Sequence, residues 1–560
     1  MPGPGDRVTL AHDVTLTDER TLSQDGASPA ITINAGGIFR IAEDSRLNSN
    51  GNITCQNNNR NQFFMAPGSV LNFQGEARIF QTATQYPGSN PCLIIEGTQQ
   101  KPATIRTEAS VTTKARITGT TNYYGLMLAE WVIFENMGGA DASAIQCSPN
   151  SDGSDANRSR FILSNFRMIN CGHIQQASNV GAHAIFELAN GHFENTLSTY
   201  CVTGSMYSDR SGNGYRRIRT CSFDKQNFIQ APRDLEYESN VTRPLIVSNT
   251  DAQGWASYSH NFLYYLTESQ QNCIGDFTGN YVCYDKADQI NPHYTEVGQF
   301  ASINNYEVSE NVFEFLGEDP DGDCVLIGSP PTAGKKVVIT RNITLPTSAN
   351  DSPGTVFSAL GNANVNYEAT FNTGFIGTNE GGAPFVIGEN FAGNPGQCEA
   401  FVGNIGWDTS PRGLLMNQFG STINLLDADD AVFNVRWNAL TGSAGNGYGT
   451  TGTGEYGSAD IEANPEFVDP TRNIAAWDAA LGGPGTAENA IAELRKLNTP
   501  EHDERYTAEA LIEWVRHGFK VTNPALETFA NGETPGAAGF YEVPLVEGGA
   551  DVSLLFMQDD

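Results

Sequence analysis

The chain has little positive charge. Of its 560 residues, 32 are Lys or Arg and 64 are Asp or Glu, which gives a formal net charge of −32 at pH 7. A charge of this size and sign repels the phosphates of nucleic acids and the anionic surfaces of membranes. We therefore expect neither nucleic acid nor a membrane surface among the partners of this protein.

Long apolar runs are also missing. The sequence has no run of about 18 apolar residues, which a membrane-spanning helix would need. Its N-terminus, MPGPGDRVTLAHDVTL, lacks the basic segment and the following apolar segment of a secretory signal peptide. The sequence therefore predicts no membrane insertion and no signal peptide.

Paired cysteine motifs are absent. No two cysteines have the CxxC spacing, which argues against a zinc site or a redox motif. Several cysteines stand inside strand-like phrases, where a thiol serves as a small buried apolar group. We expect free thiols, with disulfide bridges as the alternative. The ten cysteines are Cys55, Cys92, Cys147, Cys171, Cys201, Cys221, Cys273, Cys283, Cys324 and Cys398.

Helical periodicity and common catalytic motifs are missing as well. Between residues 275 and 440, apolar residues do not recur at sustained spacings of three and four, which argues against helical repeats. The chain contains no GxSxG, HExxH or Walker motif. The sequence therefore leaves open whether the protein is an enzyme at all.

A short phrase returns at nearly constant spacing. It reads FTGNYVCY, VSENVFEF, ITRNITLP, TFNTGFIG, FVGNIGWD and VRWNALTG, and its asparagines are separated by 31, 31, 30, 32 and 34 residues. Each phrase alternates β-branched or aromatic residues with others and predicts one short strand. The segments between them are rich in Gly, Asn, Ser, Asp and Pro, as turns are. A repeat of this length predicts an all-β fold, a parallel β-helix in which each coil contributes three strands. The asparagines are Asn280, Asn311, Asn342, Asn372, Asn404 and Asn438.

An asparagine at one place in every coil has a physical use. Asparagine tolerates left-handed backbone angles, and its amide can bond the equivalent amide of the next coil. The interval therefore predicts a structural ladder of these six amides. The alternative is that Asn is only a frequent turn residue in this chain.

Composition divides the chain into four regions. Residues 1–110 predict narrow coils and an N-terminal cap, and residues 111–440 predict the main β-helix with long loops. Residues 441–458 are rich in glycine and predict a connection. Residues 459–560 predict a small mixed α/β cap with closing strands. Two amphipathic helices are expected in that cap, over AENAIAELRKL and TAEALIEWVRHGF.

The C-terminal region carries a resemblance. The phrase NPEFVDP, followed much later by GAAGFYE, resembles the closing signature of right-handed parallel β-helix repeat proteins. The WVRHGF and TNPAL phrases are similar to C-terminal regions of β-helix proteins encoded by tailed bacteriophages. The resemblance implies a right-handed solenoid, a virion role and, by analogy with tail spikes, a homotrimer. It implies nothing about catalysis.

Two acidic clusters are candidate sites. Asp319, Asp321 and Asp323 alternate around a glycine and could supply oxygen ligands to calcium, although the loop lacks the length and terminal Glu of an EF-hand. Asp427, Asp429 and Asp430 could include a carboxylate pair that hydrolyses a glycosidic bond. For both clusters, a merely acidic surface is the competing interpretation. No cofactor is required by any pattern, and calcium is the one ion that a motif suggests.

The densest positive charge lies in a single strand-like phrase. Tyr215, Arg216, Arg217 and Arg219 combine guanidinium groups with an aromatic ring. Arginine forks bind the carboxylate or sulfate groups of acidic glycans, and a tyrosine can stack on a sugar. The alternative is structural, because the same arginines could neutralise carboxylates on neighbouring coils or on another subunit.

Three classes of function remain open. The favoured one is a virion structural protein, a tail spike or tail fibre that binds a bacterial cell-surface polysaccharide and contacts other virion proteins. The second is a polysaccharide depolymerase, either a lyase or a glycoside hydrolase, on the same scaffold. The third is a bacterial surface adhesin. The absent signal peptide favours a protein made in the host cytoplasm and carried on the particle.

Overall fold

The computed structural model describes the chain in separate stretches. These are residues 8–10, 14–22, 29–33, 37–55, 62–82, 92–119, 127–147, 160–176, 184–205, 214–230, 233–243, 245–246, 255–266, 276–284, 295–296, 306–316, 325–327, 336–345, 357–360, 366–376, 385–389, 397–408, 416–417, 424–425, 435–438, 461–530 and 532–542.

Most of the described chain is strand, and the strands form four parallel sheets. The first sheet has ten strands, Val8–Leu10, Pro29–Ile33, Asn52–Cys55, Ile79–Thr82, Arg116–Gly119, Ile145–Cys147, Ile174–Gln176, Tyr200–Ser205, Gln226–Gln230 and Leu245–Ile246. A five-stranded sheet occurs in later coils, with strands Thr295–Glu296, Val325–Ile327, Phe357–Leu360, Phe385–Glu389 and Met416–Asn417.

The second sheet has twenty strands in two columns. One column contains Val14–Leu16, Ile38–Ile41, Gln62–Met65, Leu93–Glu96, Met127–Glu135, Arg160–Ile169, Ile185–Glu194, Tyr215–Arg219, Arg233–Glu238, Trp255–Ser259, Phe277–Thr278, Tyr306–Ser309, Lys336–Thr340, Asn366–Thr370, Gln397–Val402 and Asn424–Leu425. The other begins with Glu19–Leu22, Arg46–Ser49, Val70–Phe73 and Ala103–Thr107.

A nine-stranded sheet follows this second column. Its strands are Val241–Thr242, Phe262–Leu266, Tyr281–Tyr284, Val312–Phe315, Ile343–Thr344, Thr373–Ile376, Ile405–Asp408, Val435–Asn438 and Ile461–Glu462. The two columns of the second sheet are joined by three long strands, Met127–Glu135, Arg160–Ile169 and Ile185–Glu194. The first of them pairs through its first half with Leu93–Glu96 and through its second half with Ala103–Thr107. Isolated parallel bridges from His192 to Ser222 and from Ser222 to Val241 lead on into the nine-stranded sheet.

The strands stack in parallel, and the sequence offset between paired strands varies from coil to coil. Successive strands in a sheet are separated by a whole coil, and the described strand pairings are parallel. Long stacked parallel sheets of this kind are the arrangement of a β-helix solenoid. The register gives intervals of 24 residues from Phe39 to Phe63, 34 from Leu93 to Met127 and 19 from Tyr258 to Phe277. Coil length therefore varies along the chain, and the shortest of these three coils is the one from Tyr258 to Phe277.

One apolar core lies between the sheets. It includes Ile53 of the first sheet, together with Phe63 and Leu71 from the two columns of the second sheet, and each of these side chains is fully buried. Alternation along each strand places these residues inward and their neighbours outward, as in Gln62–Met65, where half-buried and buried residues alternate. Burial of this continuous apolar surface is what one coil could not achieve alone.

Side-chain volumes in neighbouring coils are matched at the position of Phe166. Phe166 lies in register with Gly191 in the next coil, and a Cβ built on Gly191 would overlap the Phe166 ring. Glycine at this position therefore serves the close approach of the ring, because an added methyl group has no space.

We expect Gly191→Ala to lower the free energy of unfolding by about 1 to 3 kcal/mol, because the Phe166 ring would have to leave its position. Denaturant unfolding measures the change. Gly139→Ala is the matched control, since a Cβ there would meet no atom within 4 Å. Adding Phe166→Leu to Gly191→Ala should recover part of the loss; an unchanged loss would show that the overlap is not the cause.

Three short helices follow the sheets. They are α1 (Ile474–Ala480), α2 (Ala487–Leu494) and α3 (Ala508–Gly518), and a 3-10 turn follows at Pro524–Leu526. Side-chain oxygens of Asn473, Thr486 and Thr507 cap the three helices by accepting backbone N–H groups of the first turn. None of the described helices has the length and apolarity needed to cross a membrane.

The C-terminal region lies along the flank of the nine-stranded sheet. We call residues 464–530 and 532–542 the brace. A second apolar core joins Phe262, Tyr281 and Val312 of the sheet to Trp477 and Leu511 of the brace. The expected cap is therefore a lateral cover, because the strands of this sheet also have apolar residues on their outward face. Phe467 and Phe540 each form an isolated β-bridge with Val521. The NPEFVDP and GAAGFYE phrases therefore meet in the brace.

Candidate functional site

The strand Tyr215–Arg219 presents its side chains to two opposite sides. Ile218 is fully buried, and Arg216 is only 1% exposed. Arg216 lies in register with the buried residues Phe186 and Leu235 of the adjacent coils. Its guanidinium is therefore enclosed by the protein and cannot contact a glycan, so the assignment of Arg216 to a glycan site is wrong. The two-residue period of the strand places it inward.

The other three side chains of the phrase are on the outer face. Arg217 pairs with Glu236, with 2.5 Å between Nε and Oε2, and Arg219 Nη2 lies 2.7 Å from Glu187 Oε1. The Tyr215 hydroxyl donates to Glu187 Oε2 at 3.0 Å. Glu187 and Glu236 belong to the adjacent coils, so these charges join three coils across the sheet. This is the structural role that competes with glycan binding.

The outer cluster still has accessible cationic surface. The side chains of Arg217 and Arg219 are 37% and 49% exposed. The Arg217 guanidinium lies over the Tyr215 ring, 4.4 Å from its centroid, which holds both groups in place. Burial and the hydrogen bond to Glu187 raise the pKa of Tyr215, so its hydroxyl remains a donor at neutral pH. A ring, two guanidinium groups and two carboxylates on the outer face of this sheet can contact a polar ligand.

The asparagines form a continuous hydrogen-bonded chain inside the solenoid. Asn311 Nδ2 donates to Asn342 Oδ1 at 2.9 Å, and Asn311 Oδ1 accepts from the Nδ2 of Asn280 at 3.0 Å. The same link joins Asn342 to Asn372 and Asn372 to Asn404, at 3.0 Å in both cases. Each Oδ1 also accepts the backbone N–H of the preceding asparagine. These residues are buried, and their amides are satisfied by one another.

Two further members of the chain were missed from the sequence. Asn240 Nδ2 donates to Asn261 Oδ1 at 3.1 Å, and Asn261 Nδ2 donates to Asn280 Oδ1 at 2.9 Å. Their spacings, 21 residues (261 − 240) and 19 residues (280 − 261), fall outside the interval near 31 that defined the repeat. The phrases ESNVT and SHNFL around them carry the same strand-like signal, which a search with variable spacing could have found.

The left-handed backbone conformation lies one residue before each ladder asparagine, and not at the asparagine as predicted. The residue before each asparagine has the left-handed conformation, with φ of 61° at Glu310, 58° at Arg341 and 57° at Phe371. The ladder asparagines themselves are not among the residues with positive φ. The turn therefore strains the preceding residue, and the asparagine contributes its amide.

The last predicted member is out of register. Asn438 pairs with Asp408, whereas Val435 pairs with Ile405, the residue after Asn404. Asn438 therefore does not lie in line with Asn404.

Both acidic candidate sites lie outside the described residues. This holds for Asp319, Asp321 and Asp323 of the calcium loop and for Asp427, Asp429 and Asp430 of the catalytic cluster. Within the part of the chain that the structure describes, no group of three or more His, Cys, Asp and Glu side chains is placed to hold a metal ion. Calcium binding and catalysis at these loops stay predictions.

Among the described residues, seven cysteines have free thiols, and all seven are buried. They are Cys55, Cys92, Cys147, Cys171, Cys201, Cys221 and Cys283. Burial raises the pKa of the Cys147 and Cys201 thiols well above its usual value. These thiols are therefore protonated at neutral pH and act as small apolar groups, in agreement with the sequence.

Comparison with known proteins provides no further assignment. No family model matches this chain, and no match is found among curated proteins or among solved structures.

Proposed function

We propose that the chain is an elongated structural protein of a tailed-phage virion, of the tail-spike or tail-fibre kind. Its solenoid is a right-handed parallel β-helix that assembles as a homotrimer on the particle with other virion proteins. The stacked parallel sheets, the acidic composition and the C-terminal phrases support this proposal. The presence of the chain in purified particles, measured by mass spectrometry, is its first test.

The ligand of this protein is a bacterial cell-surface polysaccharide with acidic groups. The observation that carries this assignment is the outer cluster formed by Tyr215, Arg217 and Arg219. Its side chains are held by Glu187 and Glu236 on neighbouring coils, yet both guanidinium groups stay partly exposed. A rigid cluster loses little conformational freedom when it binds a carboxylate or sulfate of a sugar.

We expect the double variant Arg217→Ala/Arg219→Ala to bind purified capsular polysaccharide or lipopolysaccharide of the host at least tenfold more weakly. Removing the partly exposed Arg217–Glu236 pair should cost only about 0 to 1 kcal/mol in stability. Removing Arg219 costs more, because the buried Glu187 carboxylate then keeps only the Tyr215 hydroxyl as partner. Surface plasmon resonance measures binding, and denaturant unfolding measures stability.

The matched control is Arg106→Ala/Arg167→Ala, which removes the same charge from ion pairs with Glu135 and Glu194 elsewhere on the solenoid. Equal binding by the wild type and the Arg217/Arg219 variant would reject the cluster as the binding surface. Absence of binding to any host polysaccharide would reject the function. Release of sugar fragments during the incubation would instead identify a depolymerase.

A further inference from the structure

The brace is attached to the solenoid by hydrogen bonds spread over many coils. Asn498 Nδ2 donates to the carbonyls of Gly191 and Thr220. Farther along, Arg516 Nη1 donates to the Arg341 carbonyl at 2.8 Å, and the backbone N–H of Gly536 donates to the Gly403 carbonyl at 2.6 Å. The attachment therefore runs along the solenoid axis from the coil of Gly191 to the coil of Gly403.

The solenoid and the brace bury different apolar surfaces. The interior of the solenoid has its own core, which includes Leu263, Val282 and Phe313. Their strand neighbours Phe262, Tyr281 and Val312 face the other way and pack with the brace. Since the interior core contains no brace residue, the brace can separate as a local unit while the coils stay stacked.

Glu314 lies in the middle of this interface. Its side chain is buried, and its Oε2 accepts the Tyr281 hydroxyl and the backbone N–H of Ile474 at the start of α1. The titratable groups that face it are Tyr281 and Cys283 of the adjacent strand. On α1 and α3, Asp478 accepts from Tyr506, Glu509 accepts from Ser239, Arg516 donates to two carbonyls, and Glu513 lies on the exposed face. Glu314 is therefore buried without a facing cation among the described residues.

His192 occupies a second point of the interface. It is 8% exposed, and its Nδ1 lies 3.1 Å from the Leu497 carbonyl oxygen of the brace. The charged groups that face it from the solenoid are Arg167, Glu194 and Asp224. On the brace side, Lys496 pairs with Glu493, and Arg495 lies over the Tyr264 ring.

We propose that Glu314 and His192 are two buried, uncharged attachment points of the brace whose ionisations oppose attachment in opposite directions of pH. As a result, the wild-type brace stays attached with nearly constant strength over the mildly acidic range. The pair is a compensating device, since each group cancels the pH dependence that the other would cause.

The sign of each effect follows from proton linkage. Burial raises the pKa of Glu314 from 4.5 to about 7, so the attached state holds the extra proton and attachment weakens as pH rises from 4.5 to 7. Burial, followed by the nearby charge of Arg167, lowers the pKa of His192 from 6.5 to about 4, so attachment weakens as pH falls from 6.5 to 4. Each slope is about tenfold per pH unit, and the two cancel where the ranges overlap.

Hydrogen–deuterium exchange of the full chain tests the pair. The probes are the amides of α1 and α3, with rates corrected for intrinsic exchange, between pH 4.5 and 6.5. We expect protection in the wild type to change by less than about threefold across this range. In Glu314→Gln, protection should fall on the order of 100-fold as pH is lowered, and in His192→Gln it should fall by a similar factor as pH is raised.

Glu513→Gln is the matched control, because it removes a carboxylate from the exposed face of α3 and should keep the wild-type profile. The proposal is overturned if either Gln variant stays flat, or if the wild type itself slopes strongly. A direct titration in the intact protein covers the case in which a variant does not fold. A Glu314 carboxyl that ionises near its ordinary value in infrared spectra, or a His192 that titrates near its ordinary value by NMR, would equally overturn it.

Discussion

Replacing Asn311 by alanine is expected to lower the free energy of unfolding by about 3 to 6 kcal/mol. The substitution removes four hydrogen bonds at once, two donated by Nδ2 to Phe277 O and Asn342 Oδ1, and two accepted from Asn280. The site is buried, so water cannot replace the lost partners, and each unsatisfied buried group costs about 1 to 3 kcal/mol. Denaturant unfolding followed by circular dichroism measures the loss.

Thr278→Ala provides the comparison in the adjacent coil, where Thr278 pairs with Ser309. Its side chain is half-buried on the outer face, so we expect a change within about 0.5 kcal/mol. A loss at Asn311 no larger than the loss at Thr278 would mean that the amide chain contributes little. The stability of these coils would then come from apolar packing alone.

Replacing Asp478 by alanine is expected to destabilise the brace by about 3 to 5 kcal/mol. The carboxylate is fully buried and accepts the N–H groups of Gly485 and Thr486, the Asn489 side-chain amide and the Tyr506 hydroxyl. Four donors lose their acceptor in the variant, and the segment between α1 and α2 loses the hydrogen bonds that fix its backbone. Thermal unfolding and proteolysis within the brace measure the effect.

The pH dependence of this effect has a definite sign. Burial acts to raise the pKa of Asp478, but the bonds from Asn489, Tyr506 and the two backbone amides together lower it below 3.8. The carboxylate therefore stabilises the fold above pH 3.8, and this stability is lost as pH falls through the lowered value. The exposed Glu488→Ala, in the first turn of α2, is the control. A similar loss in both variants would contradict the role of the buried acceptor.

The repeat predicted the stacked parallel strands because alternation and turns are local signals that every coil repeats. The same signal located Asn311 and its neighbours, yet it missed Asn240 and Asn261, whose coils are shorter. It also misplaced Asn438, because a single interval cannot follow coils of different length. Register is set by the pairing of adjacent coils, which is a property of the stack and not of one phrase.

The helices show a similar division. Apolar spacing predicted α2 and α3, both of which present one apolar face over at least two turns. The segment of α1, IAAWDAA, is too short to carry such a pattern, and its helix is held by the Asn473 cap and by packing of Trp477. Packing against other parts of the chain decides short helices more than propensity does.

Alternating strands, their recurrence as coils and the amphipathic helices near the C-terminus could be predicted from the sequence, because these patterns depend only on neighbouring residues. The packing of the brace on the flank of a sheet, the inward position of Arg216, and the burial of Glu314 and His192 against distant segments emerged only from the folded chain. Those outcomes depend on contacts between residues as many as 307 positions apart, as between Gly191 and Asn498. No local pattern encodes such contacts, since they arise from fitting two apolar surfaces together.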